Sequence, residues 1–394
     1  MRKNAVNREL ISIDGGVCAP SGFYTNAVHC GVLQNDEKSP DFAVILAKKR
    51  LETAYIHTDI PNVSAFATLS QKHTRTSKAS AILIQGGGAC GYDERADDLA
   101  EKVSRLFANT LKIDRNEIIL ISTGEYGREV ELSTFESGAK NILVGLENSN
   151  EKSLRTAQVL GGGRAKQLAF SFQIGDVACK IGGIFCGGFS GNEPTVCILT
   201  TDVDISSQML QKALKAIVNE YFHMLGGRIS TPNDCICILA SGGAKNWKIT
   251  ENNSDYQKFI NALSCVAEKI CEEVMGENGF LCKVVGAKSK NAARGIAKAV
   301  ASSLSVRKSF LHKRLCTQAV LSAVIGSGEK VPLHKVSVSY KTFLAELITF
   351  EDNREIHVTD EVEKSFFSNG KIEVNIDLKE GNYTATSYGE VDGL

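Results

Sequence analysis

Net charge is the first thing this chain lacks. Its 394 residues hold 45 Lys and Arg against 45 Asp and Glu. A nucleic-acid binder is expected to carry a basic excess or tract, so no nucleic-acid partner is expected. Long apolar runs are missing too. Stretches such as Ala81–Ile84 and Ile118–Ile121 are strand-sized, far short of the roughly 20 residues of a spanning helix, and no membrane association is expected. The opening MRKNAVNRELISIDGG is positively charged but has no apolar core, which argues against a secretory leader. Proline is scarce, 6 residues against 35 glycines, and there is no low-complexity segment or obvious repeat. The seven histidines are scattered without metal-ligand spacing. No Gly-x-Ser-x-Gly elbow is present, which counts against an α/β-hydrolase triad. Twelve cysteines include no Cys-x-x-Cys pair, so the usual zinc or redox spacing is absent. Most sit among Val, Ile, Ala and Gly, where a free thiol packs as a small hydrophobe. A reducing cytoplasm is the expected compartment, with no metal and no cofactor.

What is present is a globular chain, 43% hydrophobic and 23% charged, long enough for two or three packed units. Ser80–Gln85 reads as a strand entering Gly86-Gly87-Gly88. Ala96, Leu99, Val103, Leu106 and Leu111 fall at helical spacing. Glu117–Ile121 reads as a strand leading into Ser122-Thr123-Gly124, and Ile174–Phe185, Val196–Thr201 and Asp234–Ala240 read as buried strands. Ser206 or Ser207 can cap a helix carrying Leu210, Leu214, Ile217 and Tyr221. Residues 253–275 form the clearest helix, with Gly276 just past its end. A second covers about 289–304, and Ile372, Val374, Ile376 and Leu378 alternate as a half-buried strand. Interleaved helices and strands indicate an α/β or α+β class with layered sheets. The polar stretch Asn246–Asp255 divides the chain into expected domains of 1–250 and 251–394.

Three stretches are candidates for chemistry. Gly86-Gly87-Gly88 lacks the rest of a phosphate-loop fingerprint, and a tight turn or close backbone approach is the favoured reading. Ser122-Thr123-Gly124 ends a buried strand, where backbone N–H groups can face a developing oxyanion. Thr195 stands where a glycine-rich loop enters a strand. A threonine there can attack the preceding carbonyl, form an ester and, after hydrolysis, carry a free amine with a pKa of about 8. That amine can act as base for its own hydroxyl. On the residues alone, a β-branched residue opening a strand is the simpler reading.

Six motifs in order resemble the ornithine acetyltransferase (glutamate N-acetyltransferase) family. They are Gly16-Val17-Cys18-Ala19-Pro20-Ser21-Gly22-Phe23, Pro40-Asp41-Phe42-Ala43-Val44-Ile45, Ser122-Thr123-Gly124-Glu125-Tyr126-Gly127, Leu199-Thr200-Thr201-Asp202, Thr231-Pro232-Asn233-Asp234 with Leu239-Ala240-Ser241-Gly242, and Gly286-Ala287 with the helix Asn291–Ser303. The resemblance implies a layered αββα sandwich of the N-terminal-nucleophile-like type. It also implies a smaller C-terminal α/β domain, whose last strands could return to the first. It implies self-cleavage between Pro194 and Thr195, and transfer of acetyl from N-acetylornithine, or a related N-acyl amino acid, to glutamate through Thr195. Thr123 and Gly124 would form the oxyanion hole and Glu277 would orient substrate. A homo-oligomer or heterotetramer of cleaved chains is implied as well.

The chain departs from the family pattern in places. The loop before Thr200-Thr201-Asp202 is about three residues shorter, and Thr195 aligns with the nucleophile only with one further gap. Cys186 stands where a substrate-binding lysine is expected, Gly188 replaces a serine, and Lys180 lies six residues earlier. Lys180 and Cys186 are therefore the candidates for the substrate-binding position. Two other readings stay open: an uncleaved binding or scaffold protein, and a related amidase or aminopeptidase.

Overall fold

Lys78–Gln85 reads KASAILIQ, apolar at neighbouring positions, and it forms a strand covered on both faces. Unbroken apolar strands of this kind belong to sheets buried on two sides. The computed structural model describes residues 10–33, 38–128, 130–161, 165–187, 194–226 and 230–391. Its strands are β1 (Ile11–Ser12), β2 (Phe23–Val28), β3 (Phe42–His57), β4 (Lys78–Gln85), β5 (Ile118–Ser122), β6 (Lys166–Ile174), β7 (Val177–Cys186), β8 (Val196–Thr201), β9 (Leu225–Gly226), β10 (Cys235–Ala240), β11 (Phe280–Ala287), β12 (Ser337–Lys341), β13 (Glu346–Glu351), β14 (Arg354–Glu355), β15 (Ile372–Asp377) and β16 (Tyr383–Gly389). The fold is mixed α/β on two sheets, the class expected.

Contacts divide the chain into two units. One holds Met1–Gly187, Asn192–Val218 and Ser230–Val266; the other holds chiefly Asn219–Ile229 and Ala267–Leu394. The division falls inside the long helix of residues 254–275 rather than in the polar stretch 246–255, because that helix keeps its apolar positions in phase from Tyr256 to Met275.

The first unit is a nine-stranded sheet in the order β1-β6-β7-β8-β10-β3-β4-β5, with β2 also on β3. Helices α1 (Ala65–His73), α2 (Glu94–Leu111) and α3 (Leu132–Asn141) cover one face, packing Phe66, Phe107 and Phe135 on Phe42, Val44 and Leu83. Helix α4 (Asn150–Gly161) packs Ala157, Val159 and Leu160 on the other, with Ile45, Ile82 and Ile84. Strand β3 is the corner of the sheet. It pairs with β4 through residues 42–52 and with β10 through residues 52–57, with a register shift between Leu46 and Leu51. Bulged or bent strands of this kind let a sheet curl. Side chains of β4 and β5 consequently share one core with those of β7, β8 and β10. The strand expected over Ile174–Phe185 is instead part of a hairpin. Gly175, at φ 59°, turns β6 into β7, and the two strands pair antiparallel from Ile174–Val177 to Lys166–Phe185.

Two further helices follow, α5 (Ser207–Glu220), capped by the Ser206 hydroxyl, and α6 (Ser254–Met275). The second unit is a seven-stranded sheet in the order β14-β13-β12-β15-β11-β16-β9, with helices α7 (Lys290–Ser302), α8 (Leu304–Leu311), α9 (Thr317–Ile325) and α10 (Asp360–Phe367). The last strands do not return to the first sheet: β15 and β16 flank β11 in the second. All twelve cysteines are free thiols, nine of them buried. Burial pushes Cys18 up to about 11 and Cys90 and Cys179 up to about 12. Among the described residues no helix is long and apolar enough to cross a membrane, and no side-chain cluster could hold a metal ion.

Candidate active site

Strands β8 and β10 run parallel with Val196 opposite Cys235. That register sets the residues just before each strand, Thr195 and Asp234, side by side. The Thr195 amide donates to Asp234 Oδ1 at 2.7 Å, and the Cys235 amide donates to the Thr195 carbonyl at 3.1 Å. Asp234 is itself fixed by a tight turn. Its Oδ1 also accepts from the Thr231 hydroxyl and its Oδ2 from the Thr231 amide, both at 2.9 Å.

Thr195 is 3% exposed, and its hydroxyl is buried with no hydrogen-bond partner among the described residues. A buried hydroxyl without a partner costs stability and calls for a reason. Gly187 backs onto it. A Cβ there would lie 2.9 Å from Thr195 Oγ1, and φ at Gly187 is +135°, so only glycine fits.

The curl at β3 brings the far arm of the sheet to the same place. Strands β4 and β5 are parallel with Gln85 opposite Ser122, so the Gly86–Gly88 and Ser122–Gly124 turns leave adjacent strand ends. Gly124 has φ +119°, and a Cβ there would sit 2.3 Å from the Gly87 carbonyl carbon. The glycine run is thus a close backbone approach, the reading favoured from sequence. Ser122 Oγ donates to Asn233 Oδ1 at 2.7 Å and accepts from the Cys90 amide at 2.9 Å. Asn233 Nδ2 donates in turn to the Cys90 carbonyl and the Tyr126 hydroxyl. These bonds tie both glycine turns to the Thr231–Asp234 turn beside Thr195. The Thr123 amide is committed to the Gln85 carbonyl at 2.9 Å, while its hydroxyl makes only a long 3.4 Å bond to the Val159 carbonyl.

A cavity of about 540 Å³ opens here, lined by Thr123, Gly124 and Gly87, by Pro194, and by the end of α4. Pro194, Thr123 and Gly124 are therefore brought together on the cavity lining, while Thr195, next in the chain after Pro194, is buried and does not line it. Cys186 is close as well: it ends β7 opposite Val196, and its thiol lies 3.8 Å from the Pro194 carbonyl oxygen. Lys180 is not brought here. It lies six residues back along β7, roughly 20 Å away at strand rise, with its amide on Asp202 Oδ1. Glu277 is exposed in the second unit, where it lines a separate depression of about 330 Å³ with Phe310 and Phe367. Gly188 lies outside the described residues.

In the sequence Asn233 and Asp234 stand out only as part of the Thr231–Asp234 motif and, for Asp234, as the start of an apolar strand. Their partners are set by pairing between strands distant in sequence. The one available signal was that Val196–Thr201 and Asp234–Ala240 both read as buried strands and could be neighbours.

Residues 24–390 match the ArgJ family. The arginine biosynthesis bifunctional protein ArgJ of Bacillus subtilis is 26% identical, over 97% of this chain and 94% of that protein. Glutamate N-acetyltransferase of Methanocaldococcus jannaschii is 25% identical, over 96% and 95%. Among solved structures, the arginine biosynthesis bifunctional protein argJ from Bacillus halodurans aligns with a TM-score of 0.43 at 19% identity, over 45% of this chain and 94% of that one. The match from residue 24 to residue 390 takes in every residue of the site, and this chain belongs to the ArgJ family.

Proposed function

We propose that this chain is an amino-acid N-acetyltransferase of the glutamate N-acetyltransferase type. In this reading it moves acetyl from N-acetylornithine, or a related N-acyl amino acid, to glutamate or another amino acid through an ester on Thr195. The observation that carries the reading is the buried, unpartnered Thr195 hydroxyl, held beside Gly187 with Asp234 on the same residue's nitrogen.

Maturation comes first. Thr195 Oγ1 attacks the Pro194 carbonyl carbon, the C–N bond breaks, and the hydroxyl proton passes to the departing nitrogen. Water then hydrolyses the ester, leaving a carboxylate on Pro194 and a free amine on Thr195. Cys186 supports this step only weakly, since a thiol is a poor donor and lies 3.8 Å from the oxygen concerned.

In turnover, the amine, with a pKa of about 7.7–8.0, takes the hydroxyl proton as Oγ1 attacks the acetyl carbonyl. Once the amine has taken that proton, the Asp234 carboxylate beside it would stabilise the ammonium. The Thr123 hydroxyl, bound only at 3.4 Å, can turn to the oxyanion, with the Gly124 N–H as second donor. Preorganised donors of this kind are worth about 10²–10³ in rate each. The donor's amine leaves with the proton, and the acceptor's amine attacks the ester to free Thr195.

The test is transfer of acetyl from N-acetyl-L-ornithine and from N-acetyl-L-glutamate to labelled L-glutamate by the purified full chain. Wild-type protein is expected to transfer, and Thr195→Ala to lose at least about a thousandfold, the scale on which enzymes lose an essential nucleophile. Equal rates for the two proteins would overturn the reading.

A further inference from the structure

Thr123 and Gly124 stand on one arm of the first sheet, at the end of β5, and Thr195 and Asp234 on the other, at the start of β8 and β10. One buried amide spans the two arms. Ser122 directly precedes Thr123, and Asn233 directly precedes Asp234. Their side chains meet at 2.7 Å, with Ser122 Oγ donating to Asn233 Oδ1. The bond therefore joins the residue before the oxyanion donors to the residue before the partner of the Thr195 nitrogen.

The position suits asparagine. Asn233 is buried, and its amide uses one acceptor and two donors. Nδ2 donates to the Cys90 carbonyl at 3.2 Å and to the half-exposed Tyr126 hydroxyl at 2.9 Å. A carbonyl only accepts, so the amide nitrogen faces Cys90 and the amide oxygen faces Ser122. The Cys90 amide closes the ring by donating to Ser122 Oγ at 2.9 Å. Aspartate would offer Cys90 no donor, and leucine would leave the Ser122 hydroxyl proton without its acceptor.

The Thr231–Asp234 turn has other bonds to fold on. The Ser64 amide donates to the Pro232 carbonyl and the Thr58 amide to the Asp234 carbonyl, each at 3.0 Å. The Asp234 carboxylate closes the turn on Thr231. What Asn233 adds is the spacing between this turn and the Ser122–Gly124 turn.

From this placement we infer that Asn233 is a positioning residue for acyl transfer, fixing through Ser122 and Asp234 the gap between Thr195 and its oxyanion donors. It rests on the reading of Thr195 as nucleophile, and it deepens that reading by naming what sets the distance. A displacement of about 1 Å can cost about a hundredfold in rate. The loss is greatest where most charge develops on the carbonyl oxygen, which is attack on an amide whose amine leaves badly. An activated ester reacts through an earlier transition state and calls less on the oxyanion hole.

Two rates of the purified full chain test this: acetyl transfer from N-acetyl-L-ornithine to L-glutamate, and release of p-nitrophenol from p-nitrophenyl acetate. Asn233→Ala is expected to lower kcat for the amide by about ten- to a hundredfold, with KM within about twofold of wild type and the ester rate lowered by less than about threefold. A merely structural defect removes active protein and lowers both rates by one factor. Tyr126→Phe removes the bond at the half-exposed end and keeps the buried ones. It should shift the amide-to-ester ratio in the same direction by about threefold, the worth of one neutral hydrogen bond. Ser122→Ala combined with Asn233→Ala should cost little more than either alone, since the two side chains act as one unit. An unchanged ratio in these variants, whether both rates hold or fall together, would overturn the inference. If Asn233→Ala fails to fold or to mature, the Tyr126→Phe ratio decides alone. The two readings fail separately. A Thr195→Ala protein with wild-type rates would sink the nucleophile. Rates that need Thr195 but whose ratio is indifferent to Asn233 would sink only the positioning role.

Discussion

At Asp234 one carboxylate serves two neighbours, the Thr195 amide and the Thr231 hydroxyl and amide. Asp234→Asn keeps an oxygen for one of them and loses the charge. Self-cleavage and acetyl transfer are both expected to slow by about ten- to a hundredfold, the worth of a charge-assisted bond, read from the time course of fragment appearance and from initial rates. Gly124→Ala is the harsher change. The φ of +119° costs a side chain about 1–3 kcal/mol, and the new Cβ would collide with the Gly87 backbone at 2.3 Å. A lower melting temperature together with lost transfer is the expected result; an active, unshifted Gly124→Ala protein would refute the close approach. Of these residues, Thr123 and Gly124 were candidates in the sequence as a turn at a strand end, and Thr195 only through the family resemblance. The Ser122–Asn233 bond and the Asp234–Thr195 bond were not legible there, since each joins residues at least 39 positions apart. Lys180 was proposed on nearness along the chain, but a strand carries six residues roughly 20 Å away.

Loop 30–33 shows how an element is held without secondary structure. The buried Asp41, at the start of the Pro40–Ile45 motif, accepts from the amides of Cys30, Gly31, Val32 and Leu33 at 2.7–3.1 Å, and His29 Nδ1 lies 3.2 Å away. Val32 and Leu33 then pack on Gly87. Asp41→Ala would leave four amides without their acceptor and is expected to cost at least about 2 kcal/mol, measured by denaturant unfolding, and to loosen the cavity wall that Leu33 forms. Helix α1 carries a pH dependence. His73, at its end, is buried with Nδ1 2.8 Å from the Ile118 carbonyl, and burial holds its pKa below the ordinary histidine value. A group whose pKa is lowered by folding supports the fold fully above its unfolded pKa of about 6.5. That support is lost as pH falls from there through the folded pKa. Stability is expected to drop below about pH 6.5, and His73→Gln should flatten part of the drop; an unchanged slope would rule out His73 as the source. Elements with strong periodicity, such as α2 and α6, were readable within a few residues. The sixteen-residue β3 was not, because its exposed Lys48-Lys49-Arg50 break interrupts the apolar pattern where the strand turns the corner.

On the scale of the whole chain, the central claim is that it matures by breaking one bond. Cleavage before Thr195 would leave the architecture in place. Strands β7 and β8 lie on opposite sides of the break and pair from Ile181–Thr201 to Cys186–Val196, and β6 and β10 continue the sheet on either side. The two fragments are therefore expected to co-purify and to separate only on denaturation. The mixed α/β class was legible from the interleaved apolar segments; the division into units was not, because α6 runs across it unbroken. Intact mass spectrometry of the purified, denatured protein tests the claim most directly. The account predicts two species, residues 1–194 and 195–394, the second beginning at Thr195, and a single full-length species for Thr195→Ala. A single full-length species in wild-type protein that transfers acetyl would contradict it.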